Sequence, residues 1–340
     1  MKIGLIAFTA AGDGLAEKLQ ARLGAAGLKA SCYRCRAGLL HDWTRRHFAS
    51  DDALVFIGAT SIAVRAVAPY LKSKSSDPAV VVIDEQGSFV IALLAGHLGG
   101  ANRLAEQIAA MLGAVPVITT ATECNRVFAI DRWAGENNIR ILNPERIKSV
   151  STRLLAGEKI YLQSMFPIEG ALPNGLIAGS NHYDVLITVK RGGREEALRL
   201  IPPLLTVGVG CRKGVSKEAI QRAFENLLEK GDCHREAVCR FCSIDLKAQE
   251  AGLIAFCEER GLPFQTFSAE QLGAVSGRFT SSAFVREITG VDNVCERSAA
   301  LGSGGELLVK RIIGDGVAMA LAIAPYTLHF REGQGMIPDG

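Results

Sequence analysis

Residues 53–83 read ALVFIGATSIAVRAVAPYLKSKSSDPAVVVI, and their order decides the fold class. Ala53 to Ile57 is a compact apolar run, Ser61 to Leu71 has helix-like spacing, and Ala79 to Ile83 is a second apolar run. Strand, helix and strand in succession predict parallel strands joined by a crossover helix. The same alternation extends outward in both directions. Ile3 to Phe8 is a strand-like run followed by Gly12, Gly14 and a helical stretch from Leu15 to Leu23. On the other side come Phe89 to Leu94, a helix from Ala101 to Leu112, and Pro116 to Thr120. The class is therefore α/β, with a mostly parallel, helix-covered sheet. Asp84 to Ser88 is a short glycine-containing link between two strand-like runs, which predicts one hairpin within that sheet.

The whole chain has 340 residues, more than one core usually organises, so several domains are expected. The pattern sets residues 1–123 as an N-terminal α/β domain. Residues 124–202 form a small middle domain, with helical patterns at Arg132 to Asn137 and Pro144 to Leu155, a short Arg140 to Leu142 run, and strands near Tyr161 and Val185. Residues 203–340 form a C-terminal α/β domain that begins with the strand Leu205 to Val209 and the helix Lys217 to Leu228. Helical patterns at Leu246 to Arg260 and Ser282 to Thr289, and strand-like runs at Phe264 to Phe267, Leu307 to Ile313 and Val317 to Ile323, complete it.

Composition narrows the function classes. Thirty-eight basic against thirty-five acidic residues leave a net charge of +3, too small for a nucleic-acid partner by bulk electrostatics. Each apolar run is interrupted well short of the roughly 20 residues of a membrane span, and the start lacks a secretory pattern, so a cytoplasmic protein without a membrane role is expected. Nine cysteines are then read as reduced thiols, with no disulfide. Cys32-x-x-Cys35 and Cys239-x-x-Cys242 have metal-pair spacing, but neither sits in a compact ribbon with turn glycines, so no bound metal is expected.

The densest chemical signal is Ala95-Gly96-His97-Leu98-Gly99-Gly100-Ala101-Asn102, between an apolar run and an amphipathic helix. Glycines let a ligand approach the backbone, and a helix N-terminus favours an anion. His97 stands inside this cradle as the side chain best suited to proton transfer near neutral pH, although a histidine packed in a tight turn has the same spacing. No dinucleotide or phosphate-loop fingerprint is present: Gly12 and Gly14 are followed by Glu17 where a third glycine is needed. Arg65, Lys72, Lys74, Asp77, Asp84 and Glu85 lie at element ends, where charges line clefts or simply face solvent. Thr119, Thr120, Thr122 and Glu123 close the last strand of the domain, a position where open α/β sheets bind ligands. Gly208 to Ser216 again links strand to helix, now with Arg212 and Lys213 in the turn. It reads either as a second anion cradle or as a turn with Ser216 as helix cap.

Gly58 to Arg65, Asp77 to Glu85, Gly96 to Asn102 and Pro116 to Glu123 resemble, in order and wording, the CbiG family of cobalamin biosynthesis. Val207 to Ser216 and Val291 to Ala300, with Cys295-Glu296, resemble its C-terminal part, while the middle block matches loosely. Glu123 departs from the pattern, standing where the family has aspartate. The resemblance implies a hydrolase of the oxygen-independent route that opens the δ-lactone of cobalt-precorrin-5A and releases acetaldehyde to give cobalt-precorrin-5B. Cobalt then belongs to a cobalt-tetrapyrrole substrate, and no cofactor of the protein's own is implied; a homodimer stays open. On this account His97 is the general base, with Glu123 or Asp84 orienting it. Arg65, Gly96, Gly99, Gly100, Asn102, Thr120, Arg212, Lys213 and Ser216 hold substrate. A non-catalytic tetrapyrrole carrier is the alternative.

Overall fold

In the computed structural model, residues 1–36, 38–73, 76–96, 99–120, 127–179 and 182–330 are described. The chain divides into two compact units, the first ending at Gly135 and the second running from Glu136 to Glu332. The first unit is built on β1 (Lys2–Ala7), β2 (Lys29–Arg34), β3 (Ala53–Ile57), β4 (Ala79–Ile83), β5 (Phe89–Leu94) and β6 (Val115–Val117) in the order β2-β1-β3-β4-β5-β6. β3 and β4 are buried at every residue, which is why they read as unbroken apolar runs rather than alternating ones.

Side chains of odd-numbered residues on β1, β3 and β4, such as Leu5, Val55 and Val81, pack with Leu19 and Leu23 of α1 (Ala10–Ala25) and Leu104 and Ile108 of α4 (Ala101–Leu112). Even-numbered ones, Ile6, Phe56 and Val82, pack with Trp43 of α2 (Leu40–Ser50) and Ala63 and Val67 of α3 (Thr60–Val67). Each face of the sheet is thus closed by its own pair of helices, as the strand–helix alternation predicts. β2 and α2 are additions to the elements read from the sequence.

Direction matters more than order here. β1, β2, β3 and β4 are mutually parallel, whereas β5 returns antiparallel to β4 through the turn at Asp84, pairing Ile83 with Val90 and Val80 with Leu94. β6 then follows β5 in parallel. The hairpin is the one the turn residues predict. Its consequence is that β5 and β6 end where β1, β3 and β4 begin.

The second unit holds two five-stranded sheets. One, in the order β10-β8-β11-β12-β7, uses β7 (Arg140–Ile141), β8 (Ile160–Ser164), β10 (Leu176–Ala178), β11 (Val185–Ile187) and β12 (Leu198–Ile201). The other, β15-β14-β13-β17-β16, uses β13 (Leu205–Cys211), β14 (Val238–Ile244), β15 (Phe264–Phe267), β16 (Glu306–Gly314) and β17 (Val317–Ile323). The sequence suggests a boundary at 202/203, but main-chain bonds tie the two sheets into one unit. Arg191 N donates to Asp232 O at 3.0 Å and His234 N to Val189 O at 2.8 Å. Near the end of the chain, β18 (Leu328–His329) returns to pair with β9 (Ile168–Glu169).

Close packing explains the small residues of β13. A Cβ on Gly208 would stand 1.8 Å from the carbonyl oxygen of Cys295, because the helix Cys295–Ser303 lies directly on this strand. β13 runs on to Cys211, so Gly208 and Gly210 belong to a strand and not to the predicted loop. The predicted helix Leu246 to Arg260 is likewise shortened to Ala251–Glu259, after a single 3-10 turn at Asp245–Lys247.

The helix Cys295–Ser303 carries a fully buried Glu296. Its carboxylate accepts from Thr280 N at 2.7 Å, Thr280 Oγ1 at 2.8 Å and Arg311 N at 2.7 Å. Arg311 is free to donate because β16 slips register between Val309 and Ile312, turning that amide away from β17. Nearby, Arg297 binds Asp292 at 2.9 Å and the carbonyls of Leu272 and Val275.

Replacing Glu296 by Ala removes the buried acceptor of three part-buried hydrogen bonds and is expected to cost about 3 kcal/mol, read as a lower urea midpoint at unchanged slope. The hydrogen bond from Arg297 holds the Asp292 carboxyl below its ordinary value of 3.8. Its contribution is therefore present above pH 3.8 and lost as pH falls through the lower folded value. The stability deficit of Asp292→Asn, measured by denaturation across pH, should shrink in that acid window and persist above it.

Candidate functional site

The glycine loop lies at the carboxyl end of β5. Ala95 enters it with φ +56°, an uncommon conformation for a residue with a side chain. Gly96, Gly99 and Gly100 flank the two positions, 97 and 98, that lie outside the described residues. The chain doubles back on itself: Ala101 N donates to Ala95 O at 3.1 Å and Asn102 N to Gly96 O at 3.0 Å. Two of the helix's first amides are therefore already used. Those of Gly99 and Gly100 are the ones it can still present to a ligand.

Neither glycine tolerates a substituent. A Cβ on Gly99 would sit 2.3 Å from Ala95 Cβ, and one on Gly96 would sit 2.7 Å from Asn102 Oδ1. Asn102 is 1% exposed, and its Nδ2 donates to Thr120 Oγ1 at 3.1 Å. Its Oδ1 is buried without a donor among the described residues. An unmet acceptor of this kind costs on the order of 1–3 kcal/mol. Gly96, Asn102 and Thr120 thus come together in the structure. His97 and Glu123, together with Lys74 and Thr122, lie outside the described residues.

Asp84 does not join them. It stands at the opposite end of β5, six strand residues or roughly 17–20 Å from the loop. Its carboxylate accepts from Phe89 N at 2.6 Å and Gln86 N at 3.2 Å, which closes the β4–β5 hairpin. The expected pairing of Asp84 with the loop is corrected by this reversal of strand direction. Asp77, by contrast, is on the loop's side: its backbone oxygen lies 3.3 Å from a Cβ built on Gly99. Its carboxylate binds the amides of Lys72 and Ser73. Arg65 is exposed in the last turn of α3, and Glu85 is exposed beside the hairpin.

In the second unit Arg212 and Lys213 are exposed in the turn between β13 and the helix Lys217–Gly231. Ser216 Oγ accepts from Ala219 N at 3.2 Å and so caps that helix. The turn already holds an anion of the protein itself, since Gly214 N donates at 2.7 Å to Glu250, a buried carboxylate paired with Lys247 at 3.1 Å. Sequence inspection does not find Glu250, because it lies 36 positions from Gly214 and nothing local marks it.

Among the described residues no group of three or more His, Cys, Asp or Glu side chains could hold a metal ion, and no helix is long and apolar enough to cross a membrane. Cys239 and Cys242 share β14 at a spacing of three, which turns their thiols to opposite faces. Burial pushes Cys242 up to about 12, and Cys239 Sγ donates to Leu205 O at 3.3 Å.

Residues 42–123 match the family model for the N-terminal part of cobalamin synthesis G, and residues 205–322 match the model for its C-terminus. Cobalt-precorrin-5A hydrolase of Salmonella typhimurium is 35% identical, over 95% of this chain and 97% of its own length. Cobalt-precorrin-5A hydrolase of Priestia megaterium is 32% identical, over 82% of this chain and 80% of its own length. Protein CobE of a Sinorhizobium species is 28% identical over 36% of this chain, which is 82% of that protein.

Two substitutions separate loop from hairpin. Gly99→Ala should speed amide hydrogen exchange at Ala101 and Asn102, because the new methyl displaces the Ala95 carbonyl that holds the first turn. Asp84→Ala should lower thermal stability by about 1 kcal/mol while leaving those two amides protected.

Proposed function

The chain belongs to the cobalamin synthesis G family, and from that premise we propose that it hydrolyses cobalt-precorrin-5A. One observation carries this reading: likeness to the Salmonella hydrolase runs through 95% of the chain, including the part that neither family model covers. In the proposed reaction water adds to the δ-lactone carbonyl, and the ring C–O bond breaks to leave a carboxylate and an alcohol. The alcohol carbon then becomes the carbonyl of acetaldehyde as its bond to the macrocycle breaks. The electron pair stays with the macrocycle, which takes up a proton to give cobalt-precorrin-5B. Cobalt arrives with the substrate. The setting is the cytoplasm, where thiols such as the eight described cysteines stay reduced.

Lactone hydrolysis requires a base for the attacking water and donors for the oxyanion. We assign the base to His97 and the donors to the amides of Gly99 and Gly100. Asn102 and Thr120 hold the substrate beside the loop, and Glu123 is the carboxylate that orients the imidazole. Asp84 is left out, since its oxygens close a hairpin at the far end of β5. Arg65, Arg212 and Lys213 remain as exposed cations for the acidic edge of the tetrapyrrole.

Incubating the purified chain with cobalt-precorrin-5A should release one acetaldehyde per lactone opened, followed by its enzymatic reduction. Binding without acetaldehyde would make the chain a carrier. His97→Gln should keep binding and slow turnover by about 10² to 10⁴ fold, and the parent rate should rise with pH through the histidine's titration. Turnover within a few fold of the parent would remove His97 from the mechanism. Elemental analysis after dialysis against a chelator should find no stoichiometric zinc or iron in the purified chain.

A further inference from the structure

The second unit contains a cavity of about 750 Å³ that none of the residues assigned above touches. Its floor is apolar, formed by Phe224, Leu228 and Leu262. Its rim is cationic, with Arg140, Arg191, Arg235 and Arg260. Phe224 belongs to a packed trio with Phe241 and Phe256, at centroid distances of 5.3–5.6 Å, so the floor is part of the core.

Three of the rim guanidiniums, those of Arg140, Arg191 and Arg260, are held by bonds that use only part of each. Arg260 lies 3.9 Å above the Phe256 ring and donates to Phe256 O at 3.3 Å. Arg191 Nε donates to Cys233 O at 2.9 Å, and Arg140 donates to the Glu236 carbonyl at 2.7 Å and its carboxylate at 3.1 Å. A guanidinium already oriented by one bond loses little further freedom when it meets a carboxylate with its remaining N–H groups.

Charge is not balanced at this rim. Of its three carboxylates, Glu236 serves Arg140, Glu259 serves Lys217 at 2.6 Å and Arg260 at 3.7 Å, and Glu225 accepts from Gln221. Arg191 and Arg235 are exposed and have no carboxylate partner among the described residues. His234, also in the lining, registers the same field: burial, then Arg199, Arg235 and Arg191, hold it below the ordinary histidine value against the opposing pull of Glu236.

We propose that this cavity is a second substrate subsite, in which Arg191 and Arg235 bind peripheral carboxylates of the cobalt tetrapyrrole over the Phe224–Leu228 floor. The inference rests on the hydrolase reading for its ligand, and on the cavity alone for its chemistry. An apolar floor under a cationic rim matches a flat hydrophobic macrocycle edged with acetate and propionate groups. Phosphate would need the cations and have no use for the floor.

The test uses the full chain and the double variant Arg191→Gln/Arg235→Gln, titrated by calorimetry with cobyrinic acid, its heptamethyl ester and inorganic phosphate. Acetaldehyde kinetics on cobalt-precorrin-5A are measured in parallel. The parent should bind the acid at least tenfold more tightly than the ester. The double variant should lose at least tenfold in affinity for the acid and little for the ester, with KM raised and kcat within about twofold. Equal affinity of parent and variant for the acid, or phosphate binding as tightly as the acid, overturns the subsite. If the parent releases no acetaldehyde yet the acid-binding difference persists, the hydrolase reading fails and the carboxylate site stands. If acetaldehyde is released with the same KM by both, the reading stands and the subsite fails.

Discussion

The hairpin closed by Asp84 governs the first unit. Its carboxylate takes the amides of Gln86 and Phe89 and reverses the chain after four parallel strands. β5 and β6 therefore point against their neighbours, and their carboxyl ends carry the glycine loop and Thr120 to the edge where β1, β3 and β4 start. In an all-parallel sheet the loop would lie on the same edge as Gly58 and Asp84. One turn decides which residues can meet.

In the second unit the equivalent constraint is close contact between a helix and a sheet. Gly208 admits the backbone of the helix Cys295–Ser303, and Ala299, Ala320 and Ala322 continue that thin contact. So close an approach puts Glu296 in the interior, where a carboxylate persists only because three donors converge on it. One of those donors exists because β16 is irregular at Arg311. The resemblance carried by Val207 to Ser216 and by Cys295-Glu296 thus falls on residues that hold this packing together.

Anion-binding capacity is distributed unevenly. The turn at Arg212 and Lys213 has its amide filled by Glu250 and its helix capped by Ser216, so its cations act from the surface. Among the described residues, Asn102 Oδ1 beside the loop of the first unit has no donor, and Arg191 and Arg235 at the cavity of the second have no carboxylate partner.

The amino-acid order by itself determined the α/β class and the hairpin at Asp84 to Ser88, because strand runs, turn residues and helix starts are local signals. It determined the family too, since Gly58 to Glu123 and Leu205 onward keep their wording. Tertiary structure alone decided that Asp84 lies far from the loop, that Glu250 fills the Gly214 turn, that the middle and C-terminal sheets share one unit, and that Arg140, Arg191, Arg235 and Arg260 rim one cavity. Each of these depends on strand direction or on contacts between residues tens of positions apart. Local propensity carries no record of such pairings, because only the packed chain brings those groups within bonding distance.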